Sequence, residues 1–304
     1  MELEELRSEA RTGARRVPIF IPYLALVLGV IGLGFSAIFV KWANAPGTVS
    51  GFYRMAIAAA VMAVPFAARA RREQPAPGRY YLIAAFGGLF FAGDLALWNT
   101  AVLMSSATTS TFLGNTSPLW VALGALLLFK QKLGRLFWAG LLLTMIGASV
   151  MVGSDFLTHP LLGLGDLLAA AAGFCYGSFY LAAERARQKL STMTAWWVSA
   201  AASTVVLLIA SLLLRQPLLG YSATTYWNLV LLALVTQVGG YLAINYALGH
   251  LPASIVSPTM VGQPIVTAIL AVALLAESLG AAQFFGGALV LIGILVVHRS
   301  SDSP

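Results

Sequence analysis

Apolar residues in this chain come in long, nearly charge-free runs. No Asp, Glu, Lys or Arg occurs between Asp94 and Lys130, and none between Arg215 and Glu277. A hydrocarbon core of roughly 30 Å takes about 20 residues of helix, so each gap is long enough for more than one crossing. Polar punctuation divides the remainder. The pattern predicts spans over Ile19–Trp42, Val49–Ala68, Tyr80–Met104, Ala107–Phe129 and Leu136–Val152. A second set covers Leu162–Ala183, Thr194–Leu214, Tyr226–Leu248, Ala253–Ala276 and Gln283–Val297. The turn Asn44-Ala-Pro-Gly47, the Arg- and Pro-rich stretch Arg69–Arg79, the basic loop Lys130–Arg135 and the charged segment Glu184–Lys189 separate them.

Composition moves the picture from "apolar helices" to "membrane". Apolar residues make up 59% of the 304 and charged residues 10%, with a mean hydropathy of +0.85; soluble domains carry about a quarter charged side chains. The lipid bilayer is therefore the chain's first partner. The lone Cys175 excludes an intrachain disulfide framework. Met1–Arg16 is mixed in charge and lacks a compact cleavage site, which reads as a cytoplasmic tail ahead of a retained first helix. No phosphate loop, dinucleotide fingerprint, cysteine box or HExxH is present, and His159, His250 and His298 are far apart in sequence. The expectation is no cofactor, no metal and no ATP-driven pump.

The chain also repeats itself. A shift of 146 residues lays Gly93 on Gly239, Asn99 on Asn245, Pro118 on Pro264, Gly140 on Gly286 and Gly147 on Gly293. Paired Asn, Pro and Gly positions are harder to match by chance than paired Leu or Ala, and they suggest an internal duplication. The expected fold is an all-α membrane protein of ten transmembrane helices in two five-helix repeats. An odd number per repeat turns the two halves over relative to each other, the inverted-repeat plan. The expected organisation is a tail over 1–17, repeats over 18–153 and 162–298, a linker over 154–161 and a tail over 299–304. With a cytoplasmic N-terminus, fifteen of the eighteen basic residues fall on inside segments, the bias the positive-inside rule demands. Both termini then face the cytoplasm. Basic residues spread over short loops set topology; nucleic acid would want one basic face, so no nucleic-acid partner is expected.

Several short stretches in this order resemble the drug/metabolite transporter superfamily, in its ten-helix form with two EamA-like halves. They are Gly34–Trp42, Phe52-Tyr-Arg-Met55, Leu97-Trp-Asn-Thr-Ala101, Ser105–Thr109, Ser117-Pro-Leu119 and Gly140–Gly147. In the second half they are Asn245–Leu248, Pro252-Ala-Ser254, Gln263-Pro264, Ala276-Glu-Ser-Leu279 and Gly286–Gly293. One departure stands out: the family commonly has Glu after the fourth span of a half, and here Glu277 has Gln131 as its first-half counterpart. The resemblance implies a monomeric bacterial inner-membrane exporter of small metabolites, closest to exporters of aromatic and other neutral amino acids. Nucleotide-sugar and sugar-phosphate exchangers share the plan. They need convergent cations for a phosphate, and the spans offer at most Lys41 and Arg54. A membrane-embedded enzyme or a non-transporting scaffold are the other readings; the scattered Asp94, Asp166 and Glu277 argue against the first.

Candidate substrate or coupling residues follow from the cost of polarity in lipid. Asp94, about fifteen residues into the third span, serves a substrate amine or coupling proton, neutralises Arg54 or Lys41, or lies at a helix end. Arg54 is either a site residue or an anchor at the interface. Asn99 and Asn245, beside Trp98 and Tyr246, are equivalent in the two repeats and bond either substrate or a neighbouring helix. Tyr176 and Tyr180 share a helix face. Ser36, Trp42, Tyr241 and Gln263 are further lining candidates, and Pro118 and Pro264 are paired hinge candidates. Gly140, Gly147, Gly286 and Gly293 are expected to bring helices close together.

Overall fold

The computed structural model describes residues 18, 20–129, 134–158, 160–248, 250–251, 259–260 and 262–301. The first tail, the loop at Lys132, His159, the start of the ninth predicted span, residues 302–304 and the side chain of Asn245 lie outside the described set. Among the described residues the chain is helical throughout, with no strand. That is what lipid requires, since a helix satisfies its own backbone and an open sheet edge does not.

The elements in order are α1 (Phe20–Gly34), α2 (Ser36–Ala43), α3 (Gly47–Ala70), α4 (Gly78–Met104), α5 (Ala107–Gly114), α6 (Ser117–Phe129) and α7 (Arg135–Thr158). Then come α8 (Pro160–Ala186), α9 (Thr192–Leu213), α10 (Ala223–Leu231), a π-helical stretch Leu232–Gly240, α11 (Tyr241–Leu248), α12 (Gly262–Leu275) and α13 (Ala281–Ser301). Six stretches are long and apolar enough to cross a membrane: Phe20–Ala43, Gly47–Ala70, Gly78–Met104, Gly163–Ala186, Thr192–Leu213 and Ala223–Ile244. Arg135–Met151, Gly262–Leu275 and Ala281–Val297 are shorter apolar helices. Large apolar side chains on the outside, Val64, Leu82, Phe86, Trp227 and Phe284 among them, are more than half exposed, the inverse of a water-soluble surface.

Local chemistry sets the ends. The Ser106, Ser191 and Ser222 hydroxyls accept from the backbone N–H three residues on, capping α5, α9 and α10. Asn44, at φ 48°, ends α2 in the left-handed region, which Asn tolerates better than most residues. Three features depart from uniform spans. The first is interrupted at Phe35 and the fourth at Asn115–Thr116, while the eighth loosens into the π-helical stretch. The fifth predicted span, expected to end at Val152, continues through Gly153-Ser-Asp155 to Thr158 in α7; a glycine inside a helix costs only about 1 kcal/mol.

Packing follows a regular scheme. α4 lies along α8, α3 and α4 both contact α9, and α1 packs on the π-helical stretch and α11. The Ser199 and Ser203 hydroxyls of α9 donate to the Ala84 and Gly88 carbonyls of α4 at 2.7 and 2.8 Å. A close approach joins α7 and α13. A methyl group added at Gly147 would lie 2.5 Å from the Gly286 carbonyl oxygen, and one at Gly140 2.8 Å from that of Gly293. The glycines expected to bring helices together therefore do so, in two contacts.

Candidate functional site

A cavity of about 260 Å³ lies between α3, α4, α8, α9 and the π-helical stretch, near the small end of ligand sites at roughly 300–1,000 Å³. Its charged groups are Arg54 from α3, Asp94 from α4 and, toward the connection between α8 and α9, Arg187. Arg54 is 7% exposed; its Nε donates to Gln237 Oε1 at 2.8 Å and its Nη1 to Ser36 Oγ at 2.9 Å. Two neutral acceptors from different elements thus fix the guanidinium plane, a geometry a lysine ammonium would not reproduce. Asp94 is 9% exposed and faces the same cavity. It feels the field of Arg54, but no ion pair within 4.0 Å joins the two. The guanidinium bonds Gln237 and Ser36 instead, with no direct contact to the Asp94 carboxylate.

Aromatic rings form the walls. Phe91 and Phe179 stack at 4.6 Å, Tyr176 lies parallel to both, and the Tyr180 hydroxyl donates to the Tyr176 hydroxyl at 2.9 Å. Opposite, Trp196 stacks on Tyr241 at 5.4 Å. Trp98 donates from its indole to the Ser110 carbonyl at 3.1 Å and lies against Gly114, closing the cavity toward α5. The other end reaches Arg187 and Thr192, with a second recess beside it lined by Arg69, Ser191 and Thr192.

Of the residues singled out in the sequence, Asp94, Trp98, Tyr176, Tyr180, Tyr241, Ser36, Arg54 and Gln263 line this one cavity. Asn99 is fully buried elsewhere and donates to the Gly47 carbonyl at 3.2 Å. Trp42 is 43% exposed against Phe39, and Tyr246 is 38% exposed against His250. Lys41 lies away from the cavity, donating to the Ser105 carbonyl at 2.7 Å with Glu277 3.8 Å off. Pro118 sits in the first turn of α6, where a missing N–H costs nothing; Pro264 lies in α12, and the residue just before that helix, 261, is outside the described set. Pro118 follows the break in its span and does not bend a continuous helix.

The sequence reading passed over Gln237, Thr236, Trp196, Phe91, Phe179 and Asn115, all of which line the cavity. Gln237 and Thr236 lie in the π-helical stretch, a distortion found frequently at functional sites. The one available signal was an amide side chain inside a long charge-free run.

The chain is 27% identical over 286 residues, 90% of its own length and 93% of the relative's, to a probable amino-acid metabolite efflux pump of Salmonella typhimurium. A crystal structure of a protein 19% identical to it has a TM-score of 0.59, covering 94% of this chain and 98% of that one, which shows a shared fold. Residues 20–153 and 163–299 each match the EamA-like transporter family. With two matched stretches that take in nearly every helix around this cavity, the chain belongs to the EamA-like transporter family and is a multi-pass membrane transporter.

Proposed function

We propose that the chain is a bacterial inner-membrane exporter of small zwitterionic metabolites, amino acids with aromatic side chains included, working by alternating access through this cavity. Ten helices in two inverted repeats, with both termini cytoplasmic, carry it. The observation behind the substrate class is the placement of Arg54 and Asp94 on one aromatic-walled cavity without an ion pair between them. A buried cation and a buried carboxylate that do not satisfy each other suit a ligand bearing both charges. Arg54 takes the substrate carboxylate, Asp94 the ammonium, and the Phe91, Phe179 and Trp196 rings the side chain. The relative's description as an amino-acid metabolite efflux pump supports the same reading.

The packing supports the inverted repeat. Under the 146-residue shift the contact of Gly147 with Gly286 becomes that of Gly293 with Gly140, so the two closest approaches of α7 and α13 exchange. A two-fold relation between the halves has that consequence. A sugar-phosphate exchanger fits less well, because Asp94 would repel a phosphate held at Arg54.

The test is counterflow in proteoliposomes loaded with unlabelled neutral amino acids. The expected result is uptake of labelled amino acid with broad competition among aromatic and aliphatic side chains. A requirement for a phosphate group would overturn the assignment.

A further inference from the structure

Glu277 lies outside the cavity, just beyond α12, where Ala276 turns the chain at φ 54°. Its carboxylate reaches into the first half of the chain. Oε1 accepts from the Ala107 N–H at 2.7 Å, Oε2 accepts from the Thr108 hydroxyl at 3.1 Å, and Lys41 Nζ stands 3.8 Å away. Lys41 in turn donates to the Ser105 carbonyl, and the Ser105 hydroxyl donates to Asp166 Oδ1 at 2.5 Å. Glu277 and Asp166 come from the second half; Lys41, Ser105, Ala107 and Thr108 come from the first. Two carboxylates thus bind the halves together beyond Trp98, at the end of the cavity away from Arg187.

The chemistry makes this junction strong and breakable. A carboxylate at a helix N-terminus meets free N–H groups and the positive end of the helix dipole, and its hydrogen bonds are charge-assisted. The Glu277 side chain is 13% exposed, covered largely by these partners. The duplication supplies this carboxylate once, since the 146-residue shift lays Gln131 on Glu277.

We propose that Glu277, with Lys41 and the N-terminus of α5, is the latch of the gate that closes the cavity at the end away from Arg187. The proposal rests on the alternating-access reading above. Substrate arriving from the Arg187 end meets a closed far side, and release there requires the Glu277 bonds to α5 to break.

A cysteine at Asn115, which lines the cavity, in a Cys175→Ser background reports access from either membrane face to an impermeant maleimide. With the latch intact, labelling is expected from the Arg187 face. Glu277→Gln is expected to raise labelling from the opposite face by about tenfold or more, the effect of weakening its charge-assisted bonds to α5 and its contact with Lys41. Thr108→Val, which removes a single bond to Oε2, is expected to give a smaller rise, about threefold, and little further rise when added to Glu277→Gln. Unchanged labelling from that face in folded Glu277→Gln overturns the latch. If Glu277→Gln does not fold, Thr108→Val decides alone, and no rise there overturns it equally. Labelling needs no substrate, so a failed counterflow assay leaves this result readable.

Discussion

The relation between Arg54 and Asp94 decides how the cavity is used, and a double-mutant cycle measures it. Arg54 is bonded to Gln237 at 2.8 Å and Ser36 at 2.9 Å, and has no carboxylate within 4.0 Å. Asp94→Asn therefore strips no hydrogen bond from the guanidinium, and a stability loss under about 1 kcal/mol is expected. Arg54→Met leaves the Gln237 carbonyl and the Ser36 hydroxyl without their donor, a cost of about 1–3 kcal/mol per unsatisfied group, partly offset by removing a buried charge. The double variant should lose close to the sum. A true buried pair behaves otherwise: breaking it by one partner costs about 3–5 kcal/mol, and removing the second partner recovers much of that. The assay is thermal unfolding of the four proteins in one detergent, with counterflow measured on the same preparations. Counterflow should vanish in Asp94→Asn, Arg54→Met and the double variant alike. Recovery of about 3 kcal/mol or more in the double variant would show that the two charges serve each other, and the zwitterion assignment would fall with it.

Other perturbations test the scaffold. Gly147→Ala gains about 1 kcal/mol of helix propensity but pushes a methyl group to 2.5 Å from the Gly286 carbonyl, so the overpacking cost of about 1–3 kcal/mol should win and lower the melting temperature. Gly78→Ala, with open space around it, should leave stability unchanged or raise it; the same melting temperature in both variants would refute the close-contact account. Outside the membrane, burial pushes the Glu73 carboxyl up, but hydrogen bonds from Arg69, Ser191 and Thr194 outweigh this and hold it below the usual carboxylate range. Its stabilising effect is then fully present above the ordinary carboxylate pKa and lost as pH falls through the lowered one, so thermal melts of Glu73→Gln and the parent should differ slightly at neutral pH and converge in acid. Single cysteines near Arg72 and Arg187 should label from the cytoplasmic face and one at Ser222 from the outside; an outside label at either of the first two would overturn the proposed orientation.

How much of this was legible depended on which physical property each feature reports. Span positions follow from lipid's intolerance of charge, which a single sequence displays directly, so α3, α4 and α9 begin and end within two residues of the expected limits. Asp94 and Arg54 were visible for the same reason, as isolated charges in apolar surroundings. Their relation to each other was not, because it depends on Gln237, a neutral residue on a helix far away in the chain. Trp42 and Tyr246 show the complementary failure. Ring residues on a predicted lining helix look alike whichever way they point, and these two point away from the cavity. The interruption at Phe35 left little mark in the sequence, since apolar and small residues continue through it, whereas Asn115-Thr116-Ser117-Pro118 marks the second with three polar residues and a proline inside an apolar run.

The duplication explains the scaffold, and its imperfection explains the site. The Gly pairs of α7 and α13 are repeated across the two halves because the contact they make is the same from either side. Cavity chemistry is not repeated: the 146-residue shift lays Asp94 on Gly240, Arg54 on Ala200 and Gln237 on Phe91. A small ligand with an ammonium at one end and a carboxylate at the other has no two-fold symmetry, and a symmetric lining would place two like charges where it carries opposite ones. Under the zwitterion proposal, selection for such a ligand would keep the helix contacts paired while letting each half supply different groups to the centre. Gly240, the second-half counterpart of Asp94, packs against Leu33 and the Gly29 backbone, where an added Cβ would lie 3.3 Å from Leu33 and require that side chain to shift. The carboxylate is single, and the cavity has a defined polarity from Arg54 to Asp94.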